Sequence, residues 1–378
     1  MKKIFSNFLS IFLLTISTVC NAQINEQQIA EINNLIEDLS RHDAFSGTVL
    51  IAKDDDIIYQ KSTGLSNKEK NTQNNIETKF CIGSMNKMFT SVAIAQLVEK
   101  GKLNFTDKLI THLPNLPQKT FGDITIEQLL THSAGTGDFF AFPKFETIAD
   151  TAKTISTYVN IGIDEPLLFK PGSKVKYSNY GFVLLGAVIE KVSNMTYYDY
   201  VKKNIFDVAD MKNTDSYERD MMHENLAIGY ALPPQMPNQG PMLIEKDIKR
   251  ENNNKLLEVK GNSAGGGYST VLDLNKFSKA LLSGNLLSKK MVDYITKGKV
   301  VLLPALPHAN LPEVKYGYGF CETYKNSHRF IGHTGGAPGV DANLEIYPDL
   351  GYTVIVLSNY DRAIMPIMKL IEDILTQK

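Results

Sequence analysis

Tryptophan is absent from this sequence of 378 residues, and cysteine is scarce, since only Cys20, Cys81 and Cys321 are present. So few cysteines exclude a disulfide framework and a cysteine-rich zinc site, and the sequence leaves open whether Cys81 and Cys321 pair. An excess of one charge is also lacking, because 40 Lys and Arg stand against 41 Asp and Glu. Electrostatics therefore give no support to a nucleic-acid partner or an acidic membrane surface.

Motifs for metals and cofactors are missing as well. The seven histidines show no His-x-x-x-His or Glu-flanked spacing, so we expect no metal site. Residues 262–267 (NSAGGG) are glycine-rich, but they lack the Lys-Ser/Thr pair of a phosphate loop and the strand context of a dinucleotide site. We interpret them as a close-packed turn and predict a protein that works without a cofactor.

The one pronounced apolar run, residues 8–14, lies near the N-terminus behind two lysines, and small residues precede Gln23. This layout is typical of a secretory signal peptide, predicted over residues 1–22. The alternatives are an uncleaved anchor helix, for which the run is short, and lipid attachment through Cys20. We expect an exported mature protein, periplasmic or secreted, without a stable membrane span after cleavage.

Apolar spacing predicts strands near both ends of the mature chain and helices between them. The predicted strands are 46–53, 57–63, 316–324, 328–331, 343–347 and 352–357, and the predicted helices are 26–40, 85–100, 125–131, 182–193, 197–208, 272–283 and 365–376. This pattern indicates an α+β fold, an α/β sandwich whose antiparallel sheet is formed by both chain ends and covered by helices. The predicted sheet region consists of residues 23–80 and 311–378. A mainly helical region, 81–310, is inserted between these two parts. We expect the site in the cleft between the sheet region and the helical region.

The most irregular stretch is 231–260, which is rich in proline and then in charged residues and asparagine. A segment of this length without regular structure is either a surface flap over a site or disordered. The sequence does not decide between these two interpretations.

The first candidate motif is Gly83-Ser84-Met85-Asn86-Lys87, directly before an apolar helical run. Ser84 and Lys87 are three residues apart, so both project from one face of a helix. A lysine whose pKa is lowered by burial can take the proton of a serine hydroxyl and make it a nucleophile. Taken alone, the pattern is more typical of a serine helix cap followed by a solvated lysine.

The second motif is Tyr177-Ser178-Asn179, which lies between a Pro-Gly turn and an apolar helix. A loop fixed in this way suits side chains that point into a cleft. Tyr177 could carry a proton and Asn179 could bind a substrate carbonyl. The alternative is a helix-capping asparagine beside a half-buried tyrosine.

The third motif is Gly332-His333-Thr334-Gly335-Gly336, predicted to end a strand. Glycines allow a ligand backbone to lie close against a strand edge, and a following N–H can donate to an oxyanion. The alternative is a glycine-rich turn with a surface histidine. His132, by contrast, is interpreted as a structural residue in a turn that ends a helix.

In this order, the three motifs resemble those of serine hydrolases related to class C β-lactamases and D-alanyl-D-alanine carboxypeptidases, penicillin-binding proteins among them. In that family Ser-x-x-Lys, Tyr-x-Asn and Lys/His-Thr-Gly line one cleft, and class A enzymes carry a sister pattern. Segments 129–135 and 264–270 strengthen the resemblance, which extends from about Phe45 to the C-terminus. It implies a β-lactamase/transpeptidase-like fold.

The resemblance also implies a role for each motif residue. Ser84 would attack the substrate carbonyl and form an acyl-enzyme, while Lys87 and Tyr177 would share the proton transfers. Which of the two accepts the serine proton is left open. The residues implied in substrate binding and in the oxyanion hole are Asn179, His333, Thr334, Gly335 and Gly336. In the oxyanion hole, the backbone N–H groups of Ser84 and Gly336 would act as donors.

His333 departs from the β-lactamase pattern, in which a lysine supplies a fixed positive charge. A histidine with a pKa near ~6.5 is mostly neutral at pH 7 and holds an anionic substrate less firmly. We therefore predict a serine hydrolase for a small ester, amide or D-amino-acid peptide, resembling an esterase or a D-amino-acid peptidase or carboxypeptidase. The alternatives are a true class C-type β-lactamase and a non-catalytic protein that binds penicillin or cell-wall peptide. The oligomeric state is left open.

Overall fold

The computed structural model describes residues 24–233, 249–306 and 312–377. The predicted signal peptide, residues 1–22, and the part of the irregular stretch from 234 to 248 lie outside the described residues. Within the described ranges, no helix combines the length and the apolar character needed to cross a membrane.

The described part of the chain contains fourteen strands and twelve α-helices. The strands are β1 (Gly47–Lys53), β2 (Asp56–Thr63), β3 (Leu65–Asn67), β4 (Thr72–Gln73), β5 (Phe80–Cys81), β6 (Tyr230–Ala231), β7 (Glu251–Asn252), β8 (Tyr268–Ser269), β9 (Val300–Leu303), β10 (Val314–Tyr316), β11 (Cys321–Lys325), β12 (His328–Ala337), β13 (Val340–Tyr347) and β14 (Tyr352–Ser358). The helices are α1 (Glu26–Arg41), α2 (Asn86–Glu99), α3 (Leu109–His112), α4 (Gln118–Phe121), α5 (Ile126–Leu130), α6 (Phe145–Ile148), α7 (Ile155–Gly162), α8 (Asn179–Ser193), α9 (Tyr197–Val201), α10 (Val271–Ser283), α11 (Lys289–Thr296) and α12 (Met365–Thr376).

The main sheet has eight strands in the order β2-β1-β14-β13-β12-β11-β10-β9, and each neighbouring pair is antiparallel. Strands from the two chain ends meet near one edge of the sheet, where Gly47 of β1 pairs with Ser358 of β14. The predicted α+β fold is therefore confirmed. Strand β9 also belongs to this sheet although it lies within 81–310. The C-terminal part of the sheet therefore begins at Val300, before the predicted boundary at residue 311.

Two apolar layers cover the sheet because side chains alternate along each strand. Val49 and Ile51 of β1 pack with α1 and α12 on one face. Leu50 and Ala52 of the same strand belong to the larger core on the other face, which includes α2, α8 and α10. Both faces are covered, so β1 and β14 are buried at nearly every position. The site lies on the side of the larger core.

Two predicted strands differ from the structure. Residues 316–324 form no single strand, because the chain reverses between β10 and β11, where Gly317 N donates to Phe320 O at 2.8 Å. Gly319 has φ +72°, and a Cβ there would lie 2.1 Å from Ser91 Oγ of α2, so the reversal requires glycine. The strand predicted over residues 328–331 is longer in the structure, because β12 runs through the third motif and ends directly after it at Ala337.

A buried carboxyl group, that of Glu345 on β13, lies close to Glu372 of α12. Glu345 accepts hydrogen bonds from Asn343 Nδ2 at 2.9 Å and from the Tyr347 hydroxyl at 2.6 Å. Burial, reinforced by the negative charge of Glu372, raises the pKa of Glu345 to about 8. The folded state therefore retains a proton on this carboxyl at a pH where the unfolded chain has lost it.

This proton should make stability decline with rising pH. A raised carboxyl pKa gives stability that is fully present below the ordinary value near 4.5 and is lost as the pH rises through about 8. In Glu345→Gln, we expect the fall in unfolding free energy between pH 5 and 9 to be smaller than in the wild type by about 1–3 kcal/mol. Urea unfolding at both pH values measures it, and Glu146→Gln, on an exposed site, is the control. An unchanged slope in Glu345→Gln would show that another group binds the proton.

Candidate active site

Ser84 lies in a single 3₁₀ turn, Gly83–Met85, that leads directly into α2. The turn is packed against β12, because a Cβ on Gly83 would lie 2.9 Å from the backbone nitrogen of Gly336. Gly83 itself has φ +47°, a conformation that glycine adopts without strain. The serine is thus held at the N-terminal end of a buried helix with its side chain in reach of the cleft.

Lys87, one turn further along α2, is fully buried. Its Nζ lies 3.2 Å from Ser84 Oγ, 2.7 Å from Asn179 Oδ1 and 2.6 Å from the carbonyl oxygen of Ala264. Burial lowers the pKa of Lys87 to about 7, although the negative charges of Asp138 and Glu258 oppose the shift. Near neutral pH a large fraction of this amine is uncharged and able to accept a proton.

Asn179 is the first residue of α8, and Ser178 is the residue that caps the helix, since its hydroxyl accepts from Gly181 N at 3.0 Å. The alternative of a helix-capping asparagine is therefore wrong. Because the cap is provided by its neighbour, the Asn179 side chain is available to the site. Its Nδ2 donates to Asp138 Oδ2 at 2.8 Å, which directs Oδ1 toward Lys87.

Tyr177 lies between Lys87 and His132. The lysine Nζ is 4.7 Å from the centre of the tyrosine ring, and the His132 ring centre is 4.3 Å away. Burial raises the pKa of Tyr177 above its usual range, partly opposed by a hydrogen bond with Ser84. Tyr177 is therefore a protonated phenol at neutral pH. His132 accepts from Ser178 N at 3.2 Å, which fits the structural role predicted for it.

The glycines of the third motif bring β12 against the Ser84 turn. A Cβ on Gly335 would lie 2.0 Å from Ile82 O, whereas a Cβ on Gly336 would meet nothing within 4 Å. Strand β11 begins at Cys321, opposite Gly332. Beyond that point β12 has lost this neighbour, so Gly336 faces the cleft and leaves room for a ligand to approach the strand.

His333 is buried rather than exposed on the cleft wall, where Thr334 is the exposed residue. Its Nε2 accepts from the Tyr316 hydroxyl at 3.0 Å, and Nδ1 donates to the Thr334 carbonyl. Burial lowers the pKa of His333 to about 3, assisted by the positive charge of Lys87. The imidazole is therefore neutral, and it supports β12 without bringing a cation to the site.

Three residues of the site were missed in the sequence. Ala264 accepts from Lys87 and lies in segment 262–267, which packs closely on the serine turn as interpreted, with Gly266 N donating to Gly83 O at 3.2 Å. Asp138 orients Asn179, and Glu258 lines the cleft. The two carboxylates carry no local sequence signal, because they approach the motifs only in the folded chain.

One cleft is lined by a residue from each of the three motifs, Ser84, Asn179 and Gly336. Its polar lining includes Ser84, Asn179, Arg219 and Glu258, and Phe139 and Phe140 form an apolar part of the rim. Phe140 remains half-exposed. The cleft thus combines a serine hydroxyl, with the buried amine of Lys87 behind it, and an apolar rim. Such an arrangement is suited to acyl transfer from a small organic ligand to the serine.

Together, the sheet, the inserted helices and this cleft define an α+β protein of the β-lactamase and transpeptidase fold. The sequence profile described as β-lactamase matches residues 32–368. The chain belongs to this β-lactamase family.

Relatives of known name agree with the family. Penicillin-binding protein 4* of Bacillus subtilis is 31% identical over 349 residues, which cover 88% of this chain and 74% of the relative. A putative penicillin-binding protein, PbpX, of the same organism is 32% identical over 71% of this chain and 63% of its own length.

Solved structures share the fold. A penicillin-binding protein from Bacillus halodurans superposes with a TM-score of 0.77 and 29% identity, covering 90% of this chain and 98% of the other. D-amino acid amidase from Ochrobactrum anthropi has a TM-score of 0.75 at 20% identity and covers 92% and 98% of the two chains. The second similarity concerns the fold alone.

Proposed function

We propose that this protein is an exported serine hydrolase that cleaves ester or amide bonds through an acyl-enzyme on Ser84. The observation that carries the proposal is the buried Lys87, whose Nζ lies 3.2 Å from Ser84 Oγ and whose pKa is lowered to about 7. A solvated lysine could not act as a base at neutral pH, whereas this one can.

The hydrogen bonds of Lys87 indicate how the amine takes the proton. A neutral amine has two N–H groups and one lone pair. The carbonyl oxygens of Asn179 and Ala264, at 2.7 and 2.6 Å, accept the two N–H groups. The lone pair is then left for Ser84 Oγ. We infer that Lys87 removes the hydroxyl proton as the Ser84 oxygen forms its bond to the substrate carbonyl carbon.

Tyr177 fits the second proton transfer. Because burial raises its pKa, the phenol keeps its proton and cannot be the resting base. Its ring centre lies 4.7 Å from Lys87 Nζ and its hydroxyl is hydrogen-bonded to Ser84, so it can donate to the leaving group and recover a proton from the lysine. The bond between carbonyl carbon and leaving group then breaks, and an acyl-enzyme remains. Water attacks this ester in the second half of the reaction and releases the acid.

Gly336 and Ser84 are the proposed backbone donors to the carbonyl oxygen. Their segments lie against each other across Gly83 and Gly335, and Gly336 faces the open cleft. Fixed N–H donors at the developing negative charge lower the barrier to acyl transfer.

A serine-directed fluorophosphonate tests the proposal. We expect residues 23–378 to gain one covalent adduct by intact mass, and Ser84→Ala to gain none. Ser173→Ala, which removes an exposed serine, is the matched control and should label like the wild type. Hydrolysis of p-nitrophenyl acetate should follow the same pattern. Absence of labelling and of hydrolysis in folded wild-type protein would refute the serine hydrolase.

Penicillin binding is the second candidate, favoured by the relative that is 31% identical and named a penicillin-binding protein. Intact mass and residual penicillin, measured in one sample, distinguish the outcomes. A persistent adduct dependent on Ser84 would indicate acylation with slow release, and consumption without an adduct would indicate a β-lactamase. Because His333 is neutral, we expect neither to be efficient compared with ester hydrolysis.

Export is proposed from the N-terminal pattern of residues 1–22. Expression of the full chain in a bacterial host, followed by fractionation and N-terminal sequencing, is expected to give a periplasmic or secreted protein that begins at Gln23. Full-length protein in the cytoplasm would contradict the proposal.

A further inference from the structure

The charges around the cleft are not those of a site for anions. Glu258 lines the cleft together with Ser84, Asn179 and Gly336. Its side chain is partly buried, and no ion pair to Glu258 is present among the described residues. Burial raises the pKa of this carboxyl, which means that its charged form is poorly solvated. A carboxylate in such a place is stabilised when a ligand brings a positive charge to it.

The neighbouring cations all have other partners. Arg219 forms an ion pair with Asp150 at 2.8 Å, and Lys260 forms one with Glu218 at 3.1 Å. Lys87 is bound to the serine, the asparagine and a backbone carbonyl, as described above. These groups reduce the negative potential at Glu258, but none of them forms an ion pair with its carboxylate.

The backbone directly after Glu258 is held by two hydrogen bonds. Val259 N donates to Ala149 O at 3.3 Å, and Val259 O accepts from Arg219 N at 2.7 Å. The carboxylate is therefore presented to the cleft by an anchored segment, which reduces the entropy cost of ordering it on binding.

The residues on the β12 side of the site bring no positive charge to the cleft. His333 is buried and neutral where related β-lactamases carry a lysine, so the cleft lacks that fixed cation. Asp138 adds a second carboxylate next to Asn179. Of the two charged side chains that line the cleft, Arg219 is in an ion pair with Asp150, whereas Glu258 is in none among the described residues.

We propose that Glu258 binds a protonated amino group of the substrate, so that the enzyme acts on esters, amides or peptides of amino acids whose amino group is free. This inference rests on the proposed serine hydrolase and names its substrate class. Glu258 is then a residue that determines specificity through direct contact with substrate, and it takes no part in the proton transfers at Ser84.

Matched substrates test this assignment at pH 7, where an α-amino group with a pKa of ~7.7–8.0 is mostly protonated. D- and L-alanine p-nitroanilide are compared with their N-acetyl derivatives. We expect wild-type kcat/KM to favour a free-amine substrate over its acetylated partner by about 10- to 100-fold, the range for a hydrogen bond between charged groups. In Glu258→Gln, this preference should fall to about threefold or less, mainly through KM.

Two controls separate recognition from structural damage. Glu251→Gln makes the same change at an exposed position seven residues earlier and should retain the full preference. Hydrolysis of p-nitrophenyl acetate, which has no amino group, measures any general effect of Glu258→Gln on the site, and the loss on free-amine substrates should exceed that effect. An equal loss on free and acetylated substrates in Glu258→Gln would overturn the inference. So would the absence of a preference in wild-type protein whose Ser84 is labelled by fluorophosphonate. Protein that is not labelled at all would instead refute the proposed function.

Discussion

Replacing Lys87 by alanine is expected to lower kcat/KM for p-nitrophenyl acetate by about 10²–10⁴-fold, as loss of a general base commonly does. The amine is buried, lies 3.2 Å from Ser84 Oγ and has both its other N–H directions occupied by carbonyl oxygens. Without it, no other group of lowered pKa lies against the serine among the described residues, since Tyr177 holds its proton. Initial rates in the variant and the wild type measure the effect.

The dependence of kcat/KM on pH provides a second test of Lys87 as the base. The reactive form of Lys87 is the neutral amine, so wild-type kcat/KM should rise with pH through about 7 and level off above it. The residual activity of Lys87→Ala should lack this step. Lys174→Ala, at an exposed position on the loop before Tyr177, is the control and should keep the wild-type profile. A profile that keeps its step near pH 7 in Lys87→Ala would assign the titration to a different group.

Local sequence patterns were sufficient to bring together the residues proposed as nucleophile and base. Ser84 and Lys87 are three residues apart at the start of a helix, and this spacing alone dictates that they meet. The same holds for α12, whose predicted range 365–376 is confirmed because its apolar spacing and the proline in its first turn are local signals. The lowered pKa of Lys87 was not visible locally, because it depends on burial beneath α8 and segment 262–267.

Features that depend on packing between distant segments were predicted less well. Residues 316–324 have the composition of one strand, but Gly317 and Gly319 allow a reversal that the contact with α2 requires. His333 was expected at the cleft wall, and its burial follows from Tyr316, which lies two strands away in the sheet. Asp138 and Glu258 reach the site from segments whose sequence gave no indication of it.

The irregular stretch 231–260 illustrates the same limit. Its described ends are ordered, with β6 pairing β7 and with Arg250 in an ion pair with Asp361 beneath the ring of Tyr360. These contacts hold the segment that carries Glu258 against the sheet. Composition predicted the irregularity of the segment but not its contribution to the cleft, because the contributing contacts involve residues more than 100 positions away.

The contact between β12 and the serine turn leaves no room for a side chain at Gly335. An added Cβ would lie 2.0 Å from the carbonyl oxygen of Ile82 and 2.7 Å from its carbon, and both are backbone atoms of the turn that holds Ser84. Such a contact is relieved only by moving the strand or the turn. Either movement changes the position of the Gly336 N–H relative to the serine.

Gly335→Ala is therefore expected to fold but to lower kcat for p-nitrophenyl acetate by about 10²–10³-fold, the range for a lost oxyanion donor. Gly336→Ala adds the same methyl group one residue later, where a Cβ meets nothing within 4 Å, and should cost less than about tenfold. Far-UV circular dichroism and urea midpoints show whether both variants keep the fold. Wild-type kcat in Gly335→Ala, or equal losses in the two variants, would show that the strand does not position an oxyanion donor. If the predicted difference is observed, the close approach of β12 to Ser84 positions the Gly336 N–H so that it can donate to the carbonyl oxygen while Ser84 attacks the carbonyl carbon.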